Sequence, residues 1–308
     1  MRTYLYCKAG FMEQAEWTPN SWINVVCPDS NDFQYLTETL QVPESFLNDI
    51  ADDDERPRTE TEGNWLLSIL RVPVITHNQE VPYVTVPIGI ITNDEIIVSV
   101  CYHKTEMLPD FIRYTQRKEI VIRNKFDLIL RLIHSSTVWF LKYLKQINND
   151  INDAENALKK SIKNEELLRL MLLQKTLVYF NTSIHGNEMM LNKLRSIFHE
   201  ADYQNEDLLE DVEIELRQAH NTVKIYSDIL TGTMDAFASV ISNNVGTIMK
   251  RMTSLSIILM LPTLIASFYG MNVDIHLDKI PYAFILIVIA SCSLSALAFF
   301  IFRKIKWF

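Results

Sequence analysis

The sequence has no glycine-rich phosphate loop, no nucleophile motif and no pair of metal ligands at catalytic spacing, which argues against an enzyme. Its four cysteines, Cys7, Cys27, Cys101 and Cys292, stand far apart and form no paired zinc-ligand spacing. They suit a reducing compartment and receive no role. Basic residues are the minority, 29 lysines and arginines against 38 aspartates and glutamates. The resulting net charge of -9 argues against nucleic acid as a partner, because such binding needs basic surface to displace counterions. No apolar core of signal-peptide length follows Met1, so the N-terminus is expected to stay in the cytoplasm.

Charge is missing altogether from two long segments, Met252–Val273 and Ile280–Phe302. The mean hydropathy of +0.03 is high for a chain with 22% charged residues, so the average hides a split: acidic and soluble before Arg251, apolar after it. Each uncharged run reaches the roughly 20 residues a helix needs to cross about 30 Å of hydrocarbon. Between them, Asp274–Lys279 leaves room only for a tight hairpin. Lys250 and Arg251 flank the first run, and Arg303, Lys304 and Lys306 the second. The positive-inside rule then puts both termini in the cytoplasm and the short loop outside, in a multi-pass protein of the cell membrane. The competing reading, two buried helices of a soluble protein, leaves the matching basic flanks unexplained. Ser291, Ser293, Ser295, Ala296 and Ala298 make the second helix rich in small residues, which favours close helix packing.

The first third carries strand-like runs at Trp65–Val72, Tyr83–Val86 and Glu95–Val100, with Asn93-Asp94 as a turn between strands. Asp29 or Ser30 is placed to cap a helix through Leu40, and Glu44–Ile50 suggests another. An α/β domain over about the first 120 residues follows. Beyond Asn124 glycine and proline become scarce and helical periodicity takes over, predicting helices over about Lys125–Lys160 and Asn164–Phe198. A third begins near Asn205 and continues unbroken into the membrane, about 100 Å long at 1.5 Å per residue. Along it Leu209, Val212, Leu216, Ala219, Val223, Tyr226, Leu230, Thr233, Phe237, Val240 and Asn244 alternate steps of three and four, a coiled-coil seam. Such a seam needs a neighbouring chain or the two preceding helices to cover it.

The first membrane helix ends at Gly270-Met271-Asn272, which offers an amide oxygen and a glycine carbonyl, the hard oxygen ligands that suit a small divalent cation. Here the sequence resembles the CorA family of magnesium transporters. The likeness rests on Ser242-Asn243-Asn244, Met249-Lys250, Pro262 to Asn272, the terminal Arg303-Lys304-Ile305-Lys306-Trp307, and the upstream Asp54-Glu55-Arg56-Pro57-Arg58. It implies an α+β membrane protein assembled as a homopentameric funnel. The segments are an α/β/α cytoplasmic domain (1–123), a long-helix stalk (124–248), a pore-lining helix (249–272), an external loop (273–280), a second membrane helix (281–302) and a basic tail (303–308).

The resemblance implies that Gly270, Met271 and Asn272 form a selectivity filter, with Asn272 meeting a hydrated ion. Met249, Met252, Ser256, Met260, Thr263 and Ser267 recur at near-helical spacing and share one face, the expected pore lining; the methionines would form hydrophobic constrictions that gate by dewetting. Pro262 has no N–H to donate, so the carbonyl near Ile258 loses its usual partner; water can satisfy it in a pore-lining helix, and a kink with no functional role is the equal alternative.

Between Glu200 and Glu215 lie eight carboxylates and no lysine or arginine. The resemblance implies Mg²⁺ sites between protomers that close the pore, with Asp211 as such a ligand and Glu215, one turn on, as its neighbour. A second acidic cluster, Asp49, Asp52, Asp53, Asp54 and Glu55, is a candidate for opposing ligands. His185, His199 and His220 show no close ligand spacing and read as surface or packing residues. Mg²⁺, with Co²⁺ or Ni²⁺ as alternatives, is thus the expected substrate and regulatory ligand, with no covalent cofactor. No carboxylate lies in either membrane run, which favours passive, potential-driven influx over proton coupling. A zinc-transporting relative and a non-transporting membrane-anchored scaffold or sensor stay open, the first because of His276.

Overall fold

The computed structural model describes residues 1–19, 21–76, 81–122, 124–161, 164–200 and 205–271, and 282–307, with backbone alone at 198–200. The chain forms two compact units, Met1–Gly232 and Thr233–Phe308.

The first unit is built on a seven-stranded sheet. Its strands are β1 (Arg2–Cys7), β2 (Phe11–Gln14), β3 (Trp22–Val26), β4 (Arg58–Glu62), β5 (Trp65–Ile75), β6 (Tyr83–Thr92) and β7 (Ile97–Cys101). They lie in the order β2-β1-β3-β7-β6-β5-β4, antiparallel except where β3 runs parallel to β7 at the centre. The expected runs Trp65–Val72 and Tyr83–Val86 lie within β5 and β6, Glu95–Val100 is strand from Ile97 onward, and Asn93 turns β6 into β7, its amide donating to the Ile96 carbonyl at 3.0 Å.

Alternation divides the residues of the central strands between two faces. On one, Ile23, Val25, Leu67, Ile69, Ile91, Val98 and Val100 pack with Leu36, Phe46, Leu47 and Ile50. Leu36 comes from the π-helical turn (Tyr35–Thr39) that prolongs α1 (Ser30–Gln34), and the other three come from α2 (Glu44–Ala51). Asp29 caps α1, accepting from the Asp32 amide at 2.8 Å. On the other face Trp22 donates to Ser99 Oγ at 2.8 Å, and Ser99 donates to Asn24 Oδ1 at 2.8 Å. The Trp22 ring meets Phe111 of α3 (Met107–Arg117), 6.0 Å between centroids. Helices thus cover the sheet on both sides.

Three long helices follow: α4 (Lys125–Lys160), α5 (Asn164–Glu200) and α6 (Glu206–Tyr269). The seam positions Leu209, Val212, Leu216, Ala219, Val223 and Leu230 of α6 are all buried in the first unit, so intrachain packing covers the seam that far. In the second unit Val240 and Asn244 are exposed. That unit also holds α7 (Ala283–Lys304).

β1, β2, β3, β4 and α3 were not predicted. β4 reads Arg-Thr-Glu-Thr-Glu and has no apolar signal; pairing with β5 makes it a strand, and its charge suits a sheet edge. It stops at Arg58, opposite Ile69. Two residues further along β5, the Asn187 side chain of α5 takes over. Arg71 N–H donates to Asn187 Oδ1 at 3.0 Å, and Asn187 Nδ2 donates back to the Arg71 carbonyl at 2.9 Å. Ser136 Oγ of α4 donates a second bond to that carbonyl at 3.1 Å. A carboxamide here supplies the donor and acceptor that a neighbouring strand would have given.

Asn187 is 1% exposed, so Asn187→Leu strands the Arg71 N–H in an apolar setting. A loss of about 1–3 kcal/mol is expected, read as a lower melting temperature of the purified chain.

Candidate functional site

In the second unit the membrane-length part of α6 presents two distinct faces. Ser254, Ile258, Leu261, Pro262, Ile265 and Tyr269 are buried or half-buried. At about 100° per residue they fall within an arc of about 100°. Met249, Met252, Ser256, Met260, Thr263 and Ser267 are all exposed. They fall within an arc of about 80° on nearly the opposite side. The first face meets α7 where Ser295 Oγ donates to the Ile258 carbonyl at 3.3 Å. Both α6 and α7 are long and apolar enough to cross a membrane.

That bond lies where the helix lacks one of its own backbone hydrogen bonds. Pro262 stands inside α6 and its nitrogen carries no hydrogen, so the Ile258 carbonyl four residues earlier has no intrahelical donor. The expectation that pore water satisfies it is corrected: the Ser295 hydroxyl does so from the α7 side. Ser295 thus has a specific role that its inclusion among small packing residues did not anticipate. The α6 helix closes at Tyr269, with Gly270 N–H donating to the Ala266 carbonyl at 2.9 Å. Gly270 and Met271 follow, both exposed. Asn272, the hairpin linker 274–279 and His276 lie outside the described residues.

In the first unit Asp211 and Glu215 project one turn apart from α6. Asp211 lines a cavity of about 320 Å³ together with Asp110, Arg131, His134 and Trp139. Both carboxylates act on His134 of α4. Burial pushes the His134 imidazole below its ordinary pKa, Glu215 opposes this, Arg131 adds to it and Asp211 opposes it. Arg195 of α5 reaches into the acidic stretch and pairs with Glu213 at 3.1 Å. The Glu200 side chain and Asp202 lie outside the described residues.

The second acidic cluster is largely engaged within the chain. Arg58 pairs with Asp49 at 2.6 Å and also with Glu55, and His103 meets Asp53 at 2.5 Å. The Arg71 guanidinium donates to the backbone carbonyls of Asp53 and Glu55, each at 2.8 Å. Burial lowers the Arg71 pKa against the opposing pull of Asp54, Asp53, Asp52 and Glu55.

His185 and His220, read from the sequence as surface or packing residues, meet at Glu188. His220 Nδ1 lies 3.0 Å from Glu188 Oε2, His185 Nδ1 lies 3.8 Å from the same oxygen, and the two rings are 5.3 Å apart. The one signal in the sequence was the pairing of His185 with Glu188 at i,i+3; His220 belongs to another helix and only folding brings it in. The side chain of His199 is outside the described residues.

Comparison with known proteins gives a consistent answer. The family described as "CorA-like Mg2+ transporter protein" matches residues 19–304. The cobalt/magnesium transport protein CorA of Methanocaldococcus jannaschii is 24% identical over 294 residues, 93% of this chain and 90% of that protein. The protein of the same name from Thermotoga maritima is 24% identical over 299 residues, 93% and 83% of the two chains. The complete structure of the CorA magnesium transporter from M. jannaschii superposes with a TM-score of 0.84 at 21% identity, covering 100% of this chain and 99% of that one.

The Pro262–Ser295 arrangement is testable by a double-mutant cycle. Ser295→Ala is expected to cost about 0.6–1.7 kcal/mol, the range of interhelical hydrogen bonds in membrane proteins. Pro262→Ala restores the missing N–H, so adding Ser295→Ala to that variant should cost measurably less in thermal unfolding in detergent.

Proposed function

Because the chain belongs to the CorA-like Mg²⁺ transporter family, we propose that it is a channel for Mg²⁺, with Co²⁺ and Ni²⁺ as further substrates, carrying passive influx across the cell membrane. The observation that carries the reading is the two-sidedness of α6. The face beside α7 is buried or half-buried, and on the far side Met249, Met252, Ser256, Met260, Thr263 and Ser267 stay exposed. That free stripe holds thioethers and hydroxyls and no charge. In a ring of copies, five by resemblance to the family, the stripes would face one another around an axis. The three methionines would then be constrictions that empty of water when narrow, and the hydroxyls would bridge to the ion's hydration shell.

Beyond the stripe come Gly270, Met271 and Asn272, which act in this reading as the filter. A ring of Asn272 amide oxygens meets a Mg²⁺ ion that keeps its waters, since that ion dehydrates reluctantly. In this reading both termini lie in the cytoplasm and the filter faces outside, an orientation that the basic flanks support. The driving force is the membrane potential: two charges crossing about 100 mV gain roughly 4.6 kcal/mol. No proton carrier is needed, in keeping with the lack of carboxylates in either uncharged run.

Asp211 and Glu215 serve in this reading as intracellular Mg²⁺ ligands that hold the pore shut. Unscreened, the acidic stretch of α6 repels like charges on a neighbouring copy, and a divalent cation between copies reverses the sign of that interaction.

Uptake into proteoliposomes tests the transport reading. Mg²⁺ entry should follow an imposed negative-inside potential, persist without a proton gradient, and fall at least tenfold in Asn272→Ala. Entry that ignores voltage and demands a proton gradient would overturn the mechanism. For the regulatory part, Asp211→Lys should weaken the protection that millimolar Mg²⁺ gives the purified protein against protease, and unchanged protection would remove Asp211 from that role.

A further inference from the structure

We propose that His185, Glu188 and His220 form a binding site for a transition-metal dication of the Zn²⁺, Co²⁺ or Ni²⁺ type, one per chain, that ties α5 to α6 within the first unit. Two imidazole nitrogens and one carboxylate oxygen lie within 4.8 Å of one another. A metal about 2.1 Å from each of three donors needs those donors about 3.4–3.6 Å apart. The Glu188 oxygen sits 3.0 Å from one histidine nitrogen and 3.8 Å from the other. The two separations straddle the required value, and the imidazole nitrogens, within 4.8 Å of each other, reach it by side-chain rotation of about an ångström or less at each ring.

The donor chemistry selects the ion. Imidazole suits Zn²⁺, Co²⁺ and Ni²⁺, whereas Mg²⁺ takes oxygen ligands and holds its water. The site is therefore separate from the oxygen ligands proposed for Mg²⁺ regulation, and it stands whether or not the transport reading does. Glu188 is also available: its ion-pair partners among the described residues are these two histidines and no lysine or arginine. Three protein ligands leave at least one coordination position for water, and the His185 side chain is 58% exposed, so the ion can enter from solvent and exchange. Bound there, it would join His185 and Glu188 of α5 to His220 of α6, the helix that continues into the membrane-length segment.

The test uses the full-length protein in detergent, stripped with EDTA and then held in excess Mg²⁺, so that oxygen-ligand sites are occupied. Titration with CoCl₂ is followed by visible absorption, which is intense for low-coordinate cobalt bearing nitrogen ligands and weak for the hydrated ion, and by melting temperature. One Co²⁺ per chain is expected, with a rise in melting temperature that Mg²⁺ does not reproduce. His185→Ala and His220→Gln should each weaken binding by at least tenfold and abolish that rise. Wild-type affinity in both variants, displacement by Mg²⁺, or no absorbing complex in the unaltered protein would overturn the site. Should His220→Gln fail to fold, the exposed His185 decides the matter alone. Loss of ion uptake with an intact cobalt titration would count against the transport reading and leave this one standing.

Discussion

One uninterrupted helix, α6, has to satisfy two different environments along its length, and much of the architecture is arranged around that demand. Up to Leu230 it is amphipathic, its buried leucines, valines and alanine packed in the first unit while Arg195, Gln174 and Glu188 of α5 engage its polar side. After Arg251 it carries no charge at all, and its backbone has to be satisfied without help from bulk water. The same hydrogen-bonded ladder runs through both regions. A helix can do this because its backbone bonds are internal and indifferent to what surrounds the side chains.

Where the ladder or the sheet fails, a side chain stands in for the missing peptide group. Asn187 does so beyond the end of β4, giving Arg71 both a donor and an acceptor. Ser295 does so opposite Pro262, giving the Ile258 carbonyl a donor. In both places an unpaired buried polar group would cost more than the repairing bond itself gains, because taking that group out of water is more unfavourable than one hydrogen bond is favourable on balance. The two repairs also fix relations between elements: Asn187 places α5 on the sheet, and Ser295 sets where α7 crosses α6.

The long helices were legible in the sequence, and so were β5 to β7 and α2, whereas β1 to β4 and α3 were not. α4, α5 and α6 announce themselves by sustained periodicity, by Asn124 as a cap and by scarce glycine, and their limits agree with the expectation within about two residues. β4 has no apolar residue to read, and polar residues interrupt the apolar run of the others, Arg2 and Thr3 in β1, Glu13 and Gln14 in β2 and Asn24 in β3. Among candidate site residues, the exposed stripe of α6 could be anticipated because it obeys one helix's period. The His185–Glu188–His220 cluster and the Ser295 bond could not, because each joins residues more than 30 positions apart. Proximity of that kind is a property of packing, and a single sequence carries it only implicitly.

The parallel pairing of β3 with β7 sets an order for biosynthesis. Trp22 and Ser99 are bonded across 77 residues, so the centre of the sheet cannot close until about the first hundred residues have left the ribosome, and long-range pairing of this type is slow. The first membrane-length segment is synthesised only after Arg251. The nascent chain therefore has some 150 residues of translation, several seconds at least, in which to complete its sheet before membrane insertion begins.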